Sequence, residues 1–460
     1  MQVSHGMGAH ACHDYNDKNH ALSPGEAMSL DEEPPPPRVD WTAQRVFLGR
    51  PVYVWQLNLA ALLAVLFVAF VGFSFSGPFL PLLVRHLGVT EPGAVAIWSG
   101  VLIGLGPLSA VVASPLWGRL ADRIGGRPLL LRTVFGFAAL NALSAMATDV
   151  WQLAVLRLSM GALGGFTAVA LTLASLSAPP EQTTRAIALV QSAQILGQMV
   201  GPAFGGLMAD HWGIRAAFWG SSALAVVAGC NMLLMYQEAP AYTQQRRQRQ
   251  TSGARMRFRD ILKTPGFAPL LVVLFVGTFA NRSYQPLIPL FVASTGSAPG
   301  AVASVTGVIV AGGALAATLS ANLASRLVVH VPHARVLVVA LSACAAGSAL
   351  LVCSHTALQF GLLRVAVGLF DGGILTVSYG LGAAVIPVEH RASAFGILHS
   401  GAQIGSAVGP MLSGALAACS LQVAFLCNAV LFCCGALVAW RWLGTRRGGR
   451  HAAEPGGVDG

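Results

Sequence analysis

Twelve apolar runs, each long enough to cross a bilayer, leave this chain few ways to fold. They fall at about 57–84, 94–117, 128–148, 150–177, 185–209, 215–236, 267–293, 301–325, 334–354, 357–386, 391–416 and 420–443. A spanning helix needs about 20 mostly apolar residues. In lipid every backbone N–H and C=O must be satisfied internally, so runs of this length become helices. Of 460 residues, 55% are hydrophobic and only 10% charged, against about 25% charged in a soluble domain. So few charges cannot solvate the surface of so long a chain. That excludes an ordinary cytosolic enzyme and the disordered and fibrous classes. The expectation is an all-α membrane protein with twelve transmembrane helices.

The formal net charge is +10, and the basic residues sit in alternate gaps. Arg119, Arg123, Arg127 and Arg132 follow the second run. Arg246, Arg247, Arg249, Arg255, Arg257, Arg259 and Lys263 follow the sixth, and Arg446, Arg447 and Arg450 follow the twelfth. Arg326 and Arg335 flank the gap after the eighth, and the alternate gaps are nearly bare, Arg85 and Arg215 being the main exceptions. The positive-inside bias then places both termini and the central loop in the cytoplasm. The basic excess reads as membrane orientation, with no nucleic-acid partner. Seven of the eight cysteines lie in apolar stretches and there is no CxxC, so no metal site or disulfide framework is expected. The tail carries His5, His10, Cys12, His13 and His20. Metal binding is conceivable there, but a disordered extension is the favoured reading. No signal peptide and no phosphate-cradling sequence stand out, and no cofactor is expected.

The chain repeats itself. Pro78-Phe79-Leu80-Pro81 recurs as Pro286-Leu287-Ile288-Pro289, Arg157-Leu-Ser-Met-Gly161 as Arg364-Val-Ala-Val-Gly368, and Gly197-Gln-Met-Val-Gly201-Pro202 as Gly405-Ser-Ala-Val-Gly409-Pro410, each at an offset of about 207 residues. Six spans per copy give both halves one orientation, related by an axis along the membrane normal. The expected organisation is a polar, disordered tail at 1–54, a six-helix bundle at 55–236, a basic cytoplasmic linker at 237–266, a second six-helix bundle at 267–443, and a tail at 444–460. The two bundles are expected to be pseudo-symmetric.

Polar residues inside the spans are the functional candidates, because a charge at a helix centre costs about 2.5–3.5 kcal/mol on insertion scales. Asp371 is the only carboxylate well inside a run, and Arg364, Gly368 and Asp371 fall on one helix face. Asp371 could carry a proton or form a fixed ion pair with an arginine. His399 is a second proton candidate, with helix packing the favoured alternative. Asn281, Arg282, Tyr284 and Gln285 lie deep in the seventh run and are expected to line a central cavity. Arg282 could meet an anionic group or pair with Asp371. Arg364 is read mainly as structural. Gln191, Gln194 and Gln198 share a stripe with Gly201 and Gly205 and could line the cavity or bond between helices. Phe67, Phe70, Phe73, Phe75 and Phe79 make the first span aromatic, which serves packing more often than binding.

Three segments carry a family resemblance. Gly118-Arg-Leu-Ala-Asp122-Arg123-Ile-Gly125-Gly126-Arg127 resembles the loop 2–3 signature of the major facilitator superfamily, with Gly126 standing where a basic residue is usual. Gly197, Gly201, Pro202, Gly205 and Gly206 match the fifth-span signature of its exporters, and Arg157 matches the arginine of its fourth-span signature, although Met160 replaces the usual polar residue. The resemblance covers about residues 55–443 and is to the twelve-span drug:proton antiporter group. It implies two bundles rocking about a midplane site, a gating role for Asp122 and its loop neighbours, and a part for Arg157 in proton coupling, with a structural role left open. Many family exporters carry an acid in the first span. None is present here, which moves the proton site to Asp371. The implied protein is a transporter rather than an enzyme. It would expel small, partly apolar compounds from a bacterial inner membrane in exchange for protons, acting as a monomer. A transporter specific for a sugar or carboxylate, and a non-transporting receptor, are the alternatives.

Overall fold

The computed structural model describes residues 44–47, 50–124, 126–164, 166–176, 178–179, 182–236, 266–296, 298–385 and 391–443. Two short strands, β1 (Gln44–Phe47) and β2 (Arg50–Tyr53), pair antiparallel. Within the 1–54 segment, expected to be polar and disordered, the described residues form this hairpin. Its two four-residue strands, Gln-Arg-Val-Phe and Arg-Pro-Val-Tyr, are too short to read as strand without the pairing. The histidine-containing part of the tail, most of the 237–266 linker and the 444–460 tail lie outside the described residues.

Fourteen α-helices follow among the described residues. The first half contains α1 (Val54–Phe75), α2 (Leu80–His86), α3 (Pro92–Ile124), α4 (Gly126–Met146), α5 (Val150–Ala162), α6 (Phe166–Leu176), α7 (Thr183–Trp212) and α8 (Ile214–Met235). The second contains α9 (Phe267–Ser294), α10 (Val302–Leu327), α11 (His333–Leu350), α12 (Ala357–Val385), α13 (Arg391–Cys419) and α14 (Leu421–Val438). Among the described residues, ten helical segments are long and apolar enough to cross a membrane, α1 and α2 counting as one. The two other expected spans have local reasons to differ. The run at 150–177 is broken between α5 and α6, each shorter than a bilayer. The run at 185–209 is a single 30-residue helix, α7, made polar by its glutamines.

The proline-bearing repeat does not fold alike in its two copies. Gly77-Pro78 ends α1 and forms a 3-10 turn before α2. Its mate Gln285-Pro286 runs on inside α9, as does Pro289. Proline removes one backbone donor in both places. Only the first copy adds a glycine, which favours the break.

Each half has its own core. One cluster joins Leu62, Leu66, Leu130, Leu173, Val190 and Met232; another joins Val273, Leu337, Leu341, Ile374 and Phe432. Large apolar side chains also face outward, among them Trp151, Trp212, Trp440 and Leu234. That is the surface a lipid solvent requires. Between helices, glycines set the spacing. A Cβ on Gly197, Gly201 or Gly205 of α7 would strike the backbone carbonyls of Phe67, Val71 and Phe75 on α1. The second half repeats this where Gly405 and Gly409 of α13 meet the Phe275 and Phe279 carbonyls of α9. The Gly-Pro signature is thus, first, a device for close helix approach.

Candidate functional site

A cavity of about 690 Å3 lies between the two halves, lined by α1, α7, α9, α10, α12 and α13. Its two sides differ chemically. The first half contributes Phe70, Phe73, Ser74 and Gln198, with no charged residue among the described ones. Phe73 packs on Phe137 at 4.1 Å and on Phe166 at 5.0 Å between ring centroids, so the aromatic wall is held rigidly from behind. The second half contributes the polar and ionic groups, including Asn281, Arg282, Tyr284, Gln285, Arg364, Asp371 and His399.

Asp371 is 1% exposed. Asn281 donates from Nδ2 to its Oδ2, joining α9 to α12. Arg364, two turns earlier on α12, approaches the same oxygen at 4.0 Å. Arg364 also lies over the Tyr284 ring, 4.6 Å from its centroid, and the Tyr284 hydroxyl contacts Ser348 Oγ at 2.6 Å. Three helices of one half thereby hold one acid. The grip is incomplete: Asp371 Oδ1 and Arg364 Nε and Nη1 have no hydrogen-bond partner among the described residues. A buried charge left partly unsatisfied is costly, and these orphaned atoms belong to residues that line the cavity. A proton or a ligand arriving there would meet unspent hydrogen-bonding capacity.

The remaining candidates separate. His399 lines the cavity and is exposed within it. Arg157 does not line it. Its guanidinium lies 5.7 Å from the Phe218 ring centroid, inside the first half, with Nε and Nη2 lacking a partner among the described residues. Of the glutamine stripe, Gln198 reaches the cavity, Gln194 is buried with its Nε2 lacking a partner among the described residues, and Gln191 is exposed elsewhere. Gly118, Asp122 and Arg123 sit on the last turns of α3, where the side chains lie outside the described residues, as does the whole of Gly125. Arg127 is described, and its Nη2 donates to the Leu233 carbonyl at 2.8 Å, tying α4 to α8. Arg132, grouped with the loop charges above, instead donates to the Leu163 carbonyl at 2.6 Å and stacks on Trp117 at 3.2 Å. It thereby supports the chain break between α5 and α6.

Sequence reasoning passed over Tyr379, Leu375 and Gln403, all in the cavity wall. Tyr379 follows Asp371 by eight residues, so extending the Arg364–Asp371 stripe along its own face would have found it. Phe70 and Phe73 of the aromatic first span pack on neighbouring rings and also line the cavity.

Comparison with known proteins places these features. The model of the Major Facilitator Superfamily matches residues 62–357 and 296–458. The multidrug resistance protein MdtG of Citrobacter koseri is 30% identical over 402 residues, covering 85% of this chain and 96% of its own. MdtG of Klebsiella pneumoniae is 29% identical over 408 residues, covering 87% and 96%. Among solved structures, a bacterial homolog of the human lysosomal transporter Spinster aligns with a TM-score of 0.68 at 15% identity, covering 84% of this chain and 96% of that one. The nucleoside transporter NupG aligns at 0.67, also at 15% identity, over 82% and 98%. At that identity the structural likeness speaks for the fold.

Proposed function

The chain belongs to the major facilitator superfamily and is a multi-span membrane transporter, and on that premise we propose that it expels small, partly apolar compounds in exchange for protons. Likeness to the MdtG multidrug resistance proteins supports the efflux direction. The observation that carries the coupling is the buried Asp371, held by Asn281 and Arg364 in the wall of the cavity between the halves. In this reading Asp371 carries the proton. Its loss or gain of charge changes how tightly Arg364 and Asn281 are engaged, and so what the cavity offers a substrate. The uncharged aromatic wall from α1 takes the apolar body, while Arg282, Gln285 and Gln198 meet its polar groups. The halves rock so that the site opens to one side at a time.

The arginine-rich gaps and both termini lie in the cytoplasm on this reading, following the positive-inside bias, and the membrane is the inner membrane of a bacterium. Asp122 and its neighbours Gly118, Arg123, Gly125 and Arg127 form the cytoplasmic gate. Arg157 keeps its candidacy in coupling only through the bundle it braces. The described lining of the cavity comes from a single chain, which suits a monomer. The deciding experiment is a drug-susceptibility panel in an efflux-deficient host, with Asp371→Asn beside the wild type. Resistance to several unrelated compounds that the substitution removes is the expected result. Equal resistance in both strains would take the proton site away from Asp371, and none in either would remove the efflux reading.

A further inference from the structure

We infer that Asp210 is a positioning residue for the transport cycle, a clasp that holds the two halves together at the end of the cavity away from the arginine-rich gaps. It lies on the last turn of α7, in the first half. Its Oδ1 accepts from the Ala303 N–H at 3.2 Å and its Oδ2 from the Ser304 N–H at 2.6 Å, both in the first turn of α10 in the second half. The first amides of a helix have no intrahelical acceptor, and a carboxylate there is favoured by the helix dipole. A helix usually receives such a cap from the residue just before it. Ala301 precedes α10 and supplies none. The cap comes instead from 93 residues away, across the boundary between halves.

The surrounding seam makes the clasp consequential. One turn from Asp210, Gly206 packs on the Ala303 carbonyl, and Gly307 packs on the Pro202 carbonyl. The twin seam between α13 and α3 repeats this contact for contact, with Gly414 on the Ala96 carbonyl and Gly100 on the Pro410 carbonyl. At the position matching Asp210 the twin has Ala418, packed near Gly93. Small-residue seams part by losing only dispersion contacts. Charge-assisted hydrogen bonds are directional and stronger. The clasp therefore biases both seams, because the cavity opens at this end only when the two part together. This rests on the alternating-access reading above, and names the contact that sets its balance.

Hydrogen exchange on the purified full-length protein tests it, comparing wild type with Asp210→Ala, Asp210→Glu and Ser304→Pro. Asp210→Ala is expected to speed exchange about tenfold over 302–307, in the range a lost N-cap produces. Exchange should also rise over 93–104 on the unmutated seam, with the 217–228 stretch inside the first half unchanged as a control for folding. Asp210→Glu should restore both seams. Ser304→Pro keeps the acid but deletes one donor, and should reproduce the pattern of the alanine variant. A rise confined to 302–304, with 93–104 unmoved, would reduce Asp210 to a local cap and overturn the inference, as would no rise at all. Exchange does not depend on which ion or compound is carried, so failure of the efflux reading and failure of the clasp would be seen separately.

Discussion

At the scale of single residues, the acid on α12 is the informative one. Arg364 and Asp371 share a helix face, and that much is legible from their spacing. Asn281 is not, because it comes from another helix 90 residues away. Two outcomes follow from the geometry. In reconstituted vesicles under a pH gradient, Asp371→Asn should abolish uphill efflux while leaving downhill substrate exchange, read by tracer flux. Intact uphill efflux would place the proton elsewhere. Removing one partner of a buried pair strands the other at about 3–5 kcal/mol, whereas removing both is far milder. Arg364→Ala with Asp371→Ala should therefore melt above either single variant, measured by thermal unfolding in detergent. Arg157 and its repeat mate Arg364 occupy different surroundings: Arg364 lines the cavity, and Arg157 lies against Phe218.

At the scale of elements, backbone contact decides what composition cannot. The exporter signature on α7 seats that helix on α1 through three glycines, and α13 repeats the arrangement on α9. Gly205→Val and Gly409→Val push a branched side chain against carbonyls that cannot yield, and overpacking of this kind costs about 1–3 kcal/mol or more. Both should lower the unfolding midpoint and surface expression together. Gly300→Ala, where a Cβ meets nothing within 4 Å, should stay within about 0.5 kcal/mol of wild type. The Pro78 and Pro286 copies carry a related lesson. Matching prolines gave a broken helix in one half and a continuous one in the other, because the residue before each proline differs.

At the scale of the whole molecule, the arrangement is two like bundles facing across a cavity, one wall aromatic and the other ionic. In a background without native cysteines, a membrane-impermeant maleimide should label Ala298→Cys in intact cells, and Ser252→Cys only after permeabilisation. The reverse pattern would invert the topology and with it the sidedness of every proposed gate. Hydropathy, loop charge and internal repetition are properties of contiguous sequence, which is why the membrane class, the family and the paired halves could be read from the chain alone. Which polar residues meet could not. Lipid and protein core are equally apolar, so a run of leucines does not say which face of a helix turns inward. That was decided when helices distant in sequence packed together: it brought Asn281 to Asp371, set Asp210 on the start of α10, and kept Arg157 out of the cavity.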